Sequence, residues 1–186
     1  MTALAQILPT DPNIKPLWLP SDLSAPKRRR TIFSWLARLT GRRTGKIIFA
    51  QHLRDDSNTA DLAIRSAEVG ERVYLQASFP SPVSSEDHLT LRVSAKGGPG
   101  QADQTVLEHA VPTLSEMWKM GHLTSAGERI FPAGPAPEPR DTHTLVVFSR
   151  PTAPLAIGDY QFALADAAGQ ILSSGRLSVL APTPKK

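Results

Sequence analysis

The sequence has no cysteine. Disulfide bonds, thiolate metal sites and cysteine nucleophiles are therefore excluded, while the redox compartment stays open. Long apolar runs are missing as well, because no stretch approaches the roughly 18 uncharged apolar residues of a membrane-spanning helix. The first 20 residues lack the charged start and the apolar run of a secretory signal peptide. We therefore expect a protein of the cytoplasm, or one held peripherally on the cytoplasmic face of a membrane.

Catalytic and metal-binding motifs are also missing. The chain has no H-E-x-x-H, no G-x-S-x-G and no phosphate-binding G-x-x-x-x-G-K-[ST] sequence. None of its five histidines has a second histidine four residues away. His109 and His122 flank a predicted helix, and a metal site there competes with the simpler interpretation of surface or edge-strand histidines. We predict no enzymatic activity, no cofactor and no bound metal.

Proline and glycine are abundant. Seventeen prolines and twelve glycines punctuate 186 residues, whereas the hydrophobic share of 40% and the charged share of 20% are ordinary for a soluble globular protein. Frequent turn residues favour many short elements over a few long helices. The length suits one domain plus an appendage.

Charge is divided unevenly along the chain. Residues 1–54 contain ten Lys and Arg against two Asp, a net charge of +8. Residues 55–186 contain eleven Lys and Arg against fifteen Asp and Glu, a net charge of −4. The sequence therefore predicts a basic arm on a mildly acidic body.

Residues 1–30 are predicted to form an extended, proline-rich basic arm, because their prolines exclude a long helix and favour polyproline-like stretches. Within the arm, Pro16 and Pro20 frame an apolar triplet, Leu17, Trp18 and Leu19. Exposing this triplet in a flexible arm gains nothing, whereas a pocket on a partner protein would bury it favourably. The alternative is that the triplet folds back onto its own domain.

Residues 31–43 are predicted to form a short amphipathic basic helix. Its apolar residues recur at i, i+3, i+4 and i+7 and share one stripe: Ile32, Trp35, Leu36 and Leu39. A helix this short is not stable alone in water, so it must dock on something. Cations of the arm and the helix surround the stripe: Lys27, Arg28, Arg29, Arg30, Arg38, Arg42 and Arg43.

Four interpretations of this basic amphipathic region compete. It docks into a groove on a partner protein, lies on an anionic membrane surface, contacts nucleic-acid phosphates, or packs across its own domain with its arginines solvated. The apolar triplet favours a protein partner. The acidic body and the lack of a recognised nucleic-acid-binding motif argue against binding to nucleic acid. The shortness of the apolar stripe argues against binding to a membrane.

From about residue 44 onwards, apolar and polar residues alternate with a period of two. The clearest stretches, Val73–Phe79, Leu89–Ala95 and Tyr160–Leu164, are typical of half-buried strands. Further predicted strands are Lys46–His52, Thr59–Arg65, Gln104–Val111, Thr144–Ser149 and Ile171–Leu180. Turns are predicted at Gly70, Pro80–Pro82, Gly97–Gly100 and Pro151–Pro154.

One helix interrupts the predicted strands. Thr113 and Glu116 have the spacing of a capping box, and Gly121 supplies a C-terminal stop. This helix is predicted to cover one end of the domain. Its large apolar residues either pack on the core or form a second partner patch: Met117, Trp118 and Met120.

The C-terminal third carries a recognisable succession. Gly158 and Tyr160 open a strand, and Asp166 and Gly169 suit the first and fourth positions of a type I turn before a closing strand. This succession resembles the last hairpin of bacterial immunoglobulin-like and fibronectin type III-like domains. The resemblance implies that Tyr160 buries its ring while its hydroxyl bonds to backbone near a sheet corner.

We therefore expect an all-β fold: an immunoglobulin-like antiparallel sandwich over residues 45–181 with one short inserted helix, preceded by the arm (1–30) and the amphipathic helix (31–43). The expected function is that of a non-enzymatic structural or accessory subunit, which docks into a larger bacterial macromolecular assembly through its arm. One alternative is a peripheral binder of an anionic membrane surface or of nucleic acid. Another is a sandwich that binds a small ligand or carbohydrate through loops 97–103 and 132–142.

Overall fold

The computed structural model describes residues 14–18, 44–52, 60–98, 100–123, 129–132, 134–149 and 155–184. Most of these residues lie in strands, so the fold is all-β with one short helix in the described ranges. The elements are β1 (Ile14–Trp18), β2 (Gly45–Ala50), β3 (Ser66–Glu68), β4 (Val73–Ser84), β5 (Leu89–Ala95), β6 (Gln104–Val111), α1 (Leu114–Met120), β7 (His122–Leu123), β8 (Arg129–Ile130), β9 (Asp141–Ser149), β10 (Gly158–Ala165) and β11 (Ile171–Leu180).

Nine strands form one curled, mixed sheet in the order β1-β9-β4-β2-β11-β10-β5-β6, with β3 also beside β11. β7 and β8 form a separate hairpin. The expected antiparallel arrangement is found for most neighbouring strands but not for all, because β11 pairs in parallel with both β2 and β3. Parallel neighbours cannot be joined by a tight turn. Here most of the domain lies between β2 and β11 in the chain, which allows them to run in the same direction.

The core lies inside the curl of the sheet. Inward-facing residues of β2, β4, β5, β9, β10 and β11 form a single cluster of buried apolar side chains. The rings of Phe49 on β2 and Phe162 on β10 meet edge to face with centroids 4.8 Å apart, although these strands are not neighbours in the sheet. The alternation predicted for Leu89–Ala95 is observed, with Leu89, Leu91 and Val93 buried. Burial of one face of each strand therefore holds the sheet closed.

The predicted strand bounds hold for β5, β6 and β11, but two predictions are wrong. β4 does not turn at Pro80–Pro82; it continues to Ser84 with a break in its register between Ser78 and Val83. Prolines donate no backbone hydrogen bond, so an irregularity in the ladder accommodates them. The described part of Thr59–Arg65 forms no strand, and Ile64 makes an isolated bridge to Phe49.

Three local predictions are confirmed. The Thr113 hydroxyl accepts a hydrogen bond from Glu116 N (3.1 Å) and the Glu116 carboxylate accepts one from Thr113 N (2.8 Å), which completes the capping box. The β10–β11 turn closes through Gly169 N donating to Asp166 O (2.9 Å), with Gly169 at φ +78°. Tyr160 is buried, and its hydroxyl donates to Ala156 O at 2.9 Å.

Candidate functional site

The predicted partner-binding triplet is described in part. Leu17 and Trp18 lie on β1, where their backbone pairs with Val146 and Leu145 of β9, both buried residues. This pairing is the arrangement expected if the triplet folds back onto its own domain, and its contact with a partner stays a prediction. The remaining predicted partner-binding and electrostatic residues lie outside the described residues: Leu19, Lys27, Arg28, Arg29, Arg30, Ile32, Trp35, Leu36, Arg38, Leu39, Arg42 and Arg43.

Residues 19–43, named here the basic segment, are joined at both ends to the same sheet. β1 ends at Trp18, which pairs with Leu145 of β9. Leu145 also pairs with Ala77 of β4, and Ala77 pairs on its other side with Ile47 of β2. Trp18 and Ile47 therefore lie at one level of the sheet, three strand spacings or about 14 Å apart. The described strand residues that flank the basic segment, Trp18 and Gly45, therefore lie at the same end of the sheet.

A groove of about 660 Å³ runs along β11. β2 and residues 63–65 line one side of it, and β10 with the residue after β5, Lys96, lines the other. Leu177 of β11 and Tyr160 of β10, which also line it, are almost fully buried. The groove therefore lies over the edge of the core, where β2 turns away from β11 to pair with β4.

Four exposed cations line this groove: Lys46, Arg65, Lys96 and Arg176. Within the described residues, no carboxylate lies within ion-pair distance of these four side chains. The ion pair found among the described residues joins Arg92 and Glu108. Arg176 Nε donates to the neutral Gln161 side chain at 3.0 Å. None of these four cations is therefore ion-paired within the described part of the chain.

Two carboxylates also line the groove, and both already accept hydrogen bonds. Asp103 accepts one from Gly97 N (3.0 Å), and Asp159 accepts one from the Ser178 hydroxyl. Elsewhere on the same sheet, Arg92 and Glu108 form an exposed ion pair at 3.1 Å, and their hydrogen bond together with the Glu108 charge raises the pKa of Arg92. Positive charge in excess thus distinguishes the groove from the neighbouring strands.

Three exposed apolar residues, named here the apolar rim, lie next to one end of the groove: Val69, Ile157 and Leu180, which are 40%, 63% and 48% exposed. Val69 N donates to Leu180 O at 3.0 Å. Ile157 directly precedes Gly158, which pairs with Val179, the neighbour of Leu180. Leu180 follows Ser178 of the groove by two residues. The apolar rim therefore continues the groove along the same strand.

The structure places the side chains considered for catalysis or metal binding as follows. His109 of β6 is 2% exposed and pairs with Leu91 of β5. His122 lies on β7. The buried hydroxyl of Ser173 donates to Ser78 O at 2.7 Å, so it bonds to backbone and not to a base. In the described ranges, no group of three or more His, Asp or Glu side chains could hold a metal ion.

Helix α1 lies beside the core. Leu114 and Met117 pack against the core cluster, which favours core packing over a second partner patch for this part of the helix. Trp118 and Met120 are half-buried. The Glu86 carboxylate accepts a hydrogen bond from Ser115 N at 3.0 Å, which fixes the start of the helix to the β4–β5 turn.

Sequence reasoning missed the groove. Its cations come from four separate stretches of the chain and no spacing pattern links them. The signal available in the sequence was that each cation occupies a polar position in a predicted strand or directly follows one. Loop 97–103, proposed as a ligand-binding loop, contributes Asp103 to the groove, whereas the described residues of loop 132–142 do not line it.

In the part of the chain that the structure describes, no helix has the length and apolar character needed to cross a membrane. No protein-family model matches the sequence, and no curated protein is significantly similar to it.

Proposed function

We propose that the protein is a non-enzymatic structural or accessory subunit that docks into a larger bacterial macromolecular assembly through the N-terminal region, residues 1–43. The observation that carries this proposal is the attachment of both ends of the basic segment to one sheet. A segment tethered at both ends loses less conformational entropy on binding than a free tail of the same length. Its seven cations and its apolar residues all belong to this doubly tethered stretch of the chain.

The proposal includes an immunoglobulin-like sandwich over residues 45–181. The strand order supports it: β2-β4-β9 corresponds to strands A, B and E of one immunoglobulin sheet, and β11-β10-β5-β6 corresponds to strands G, F, C and C′ of the other. β2 pairs with β4 on one side and with β11 on the other, so it joins the two halves of the curled sheet.

Tyr160 supports the same assignment. It lies near the start of β10, the counterpart of strand F, and its hydroxyl bonds to backbone four residues upstream. This is the geometry of the tyrosine corner of immunoglobulin-like domains. Because such sandwiches host unrelated functions, the docking role rests on the basic segment and not on the fold. The term bacterial rests on the resemblance of the C-terminal hairpin.

The test replaces the basic segment while keeping β1. A Gly-Ser linker of about eight residues has a root-mean-square reach of roughly 15 Å and spans the gap from Trp18 to Gly45 without strain. We expect this variant to stay folded and monomeric but to lose the proteins that co-purify with the full chain from its native host. Circular dichroism checks the fold, and quantitative mass spectrometry of the purified complexes measures the loss.

Point variants provide the matched control. Trp35→Ser removes the largest apolar residue of the stripe and should reduce co-purification strongly, whereas Ser34→Ala should leave it unchanged. A linker variant that keeps the same co-purifying proteins at wild-type levels would show that the basic segment is not the docking element.

The rival functions are separated by flotation with anionic liposomes and by binding to a short oligonucleotide, each at low and high salt. Salt-sensitive binding to liposomes that is lost in Trp35→Ala would favour a peripheral membrane role. Salt-sensitive oligonucleotide binding without partner proteins would favour nucleic acid.

A further inference from the structure

We propose that the groove along β11 and the adjoining apolar rim together bind an extended acidic segment of a partner protein. This surface is distinct from the basic segment, and the proposal does not depend on the docking role of residues 1–43. It assigns to the body of the domain an interface of its own, for a ligand opposite in charge to the groove.

The charges of the groove carry the first step. Lys46, Arg65 and Lys96 are exposed, and within the described residues their charged groups have neither an ion pair nor a hydrogen bond. The carboxylates of the groove are occupied by hydrogen bonds from the chain itself. An acidic ligand would thus gain attraction to the cations without displacing an existing ion pair of the described chain.

The positions of the cations carry the second step. Lys46 pairs with Ser174 at one end of the groove, and Arg65 O accepts a hydrogen bond from Ser178 N at the other. Four residues of strand separate these points, a distance of about 13 Å. The cations are therefore spread along a line and do not converge on one point, which suits several carboxylates on an extended chain better than a single small anion.

The apolar rim carries the third step. From Ser174 to Leu180 the strand covers about 20 Å, the length of an extended peptide of six or seven residues. Such a peptide would place acidic side chains over the cations and one or two apolar side chains against Ile157 and Leu180, which removes exposed apolar surface from water. Single-stranded nucleic acid would need exposed aromatic stacking surfaces, whereas Phe49 and Tyr160, which line the groove, are 2% and 6% exposed.

The probe is a fluorescein-labelled heptapeptide in which Glu alternates with Thr and two Leu residues follow. Binding is measured by fluorescence anisotropy, with amide chemical shifts of the ¹⁵N-labelled protein locating the site. The full-length chain carries Arg28→Gln, Arg29→Gln and Arg30→Gln, so that the peptide does not bind to these cations. We expect the largest shifts between Ser174 and Leu180.

Three variants test the contributions, and all change exposed side chains. Arg65→Glu and Lys96→Glu should each weaken peptide binding by about fivefold, as expected when an exposed charge pair is lost and replaced by repulsion. Leu180→Ser should weaken it by about threefold through lost apolar contact. Lys119→Glu, an exposed charge reversal on α1 outside the groove, should leave the affinity unchanged.

Several results would overturn the proposal. These are no binding up to millimolar peptide, equal weakening by Lys119→Glu and Lys96→Glu, or shifts that cluster outside the residues that line the groove and the apolar rim. A peptide with Gln in place of Glu that binds equally well would also refute the charge argument. If a short oligonucleotide binds with sensitivity to Arg65→Glu and Lys96→Glu while the peptide does not, the groove is a nucleic-acid site instead.

Discussion

Gly45 offers the sharpest test of the junction between β2, β4 and β11. A Cβ atom at this position would lie 1.8 Å from Ser78 O and 2.7 Å from Ser173 Oγ, whereas ordinary contact begins near 3.4 Å. For Gly45→Ala, β2 must therefore move away from β4 by about 1.6 Å at this point. The change would also break the hydrogen bond from Ser173 Oγ, on a residue with no exposed surface, to Ser78 O.

The magnitude follows from these contacts. Steric strain costs about 1–3 kcal/mol, and a buried hydroxyl without its partner costs about 1–3 kcal/mol. Alanine also lowers the conformational entropy of the unfolded chain, which offsets about 0.4–1 kcal/mol of this loss of stability. We expect a net loss of about 3 kcal/mol in the free energy of unfolding, which corresponds to a decrease of roughly 9 °C in Tm.

Urea unfolding followed by circular dichroism and tryptophan fluorescence measures the change. Ser173→Ala removes the hydrogen bond without the clash and should cost about 1 kcal/mol. Gly98→Ala is the matched control, because its nearest atom would be 3.7 Å away, and its effect should stay within about 0.5 kcal/mol. Equal stability of Gly45→Ala and Gly98→Ala would refute the close approach of these strands.

Two further predictions concern confirmed local features. Tyr160→Phe keeps the buried ring but loses the hydrogen bond to Ala156 O, so the free energy of unfolding should fall by about 1 kcal/mol in urea titrations; an unchanged midpoint would argue against this bond. Thr113→Ala removes the N-cap of α1 and should cost about 1 kcal/mol. Hydrogen exchange should become faster at the amides of α1 in this variant and stay unchanged in β10, and uniform acceleration would contradict a local capping role.

The elements that the sequence predicted well are those whose signal is local. Leu89–Ala95 alternates strictly and the Thr113–Glu116 pair has a fixed spacing, so both could be identified without knowing their neighbours. The pairing of β1 with β9 could not be identified, because Ile14–Trp18 has two apolar neighbours in a row and a proline, and its partner lies more than a hundred residues away.

The candidate site shows the same division. The apolar triplet and the cations of residues 27–43 stand out because they are close in the sequence. The parallel pairing of β2 with β11 brings Lys46 to the groove, and backbone hydrogen bonds to Ser178 and Asp159 place Arg65 and Lys96 there. No periodicity encodes a pairing between strands so far apart, and the expectation of an antiparallel sandwich pointed away from it.

The position of β1 has a practical consequence for producing the protein. β1 covers the outer edge of β9, whose nine residues, DTHTLVVFS, are rich in β-branched and apolar side chains. A chain that begins after Trp18 would leave the outer backbone groups of residues 145–149 unpaired, and an apolar strand in that state recruits other chains. N-terminal truncations should therefore end before Ile14 if a non-aggregating domain is wanted.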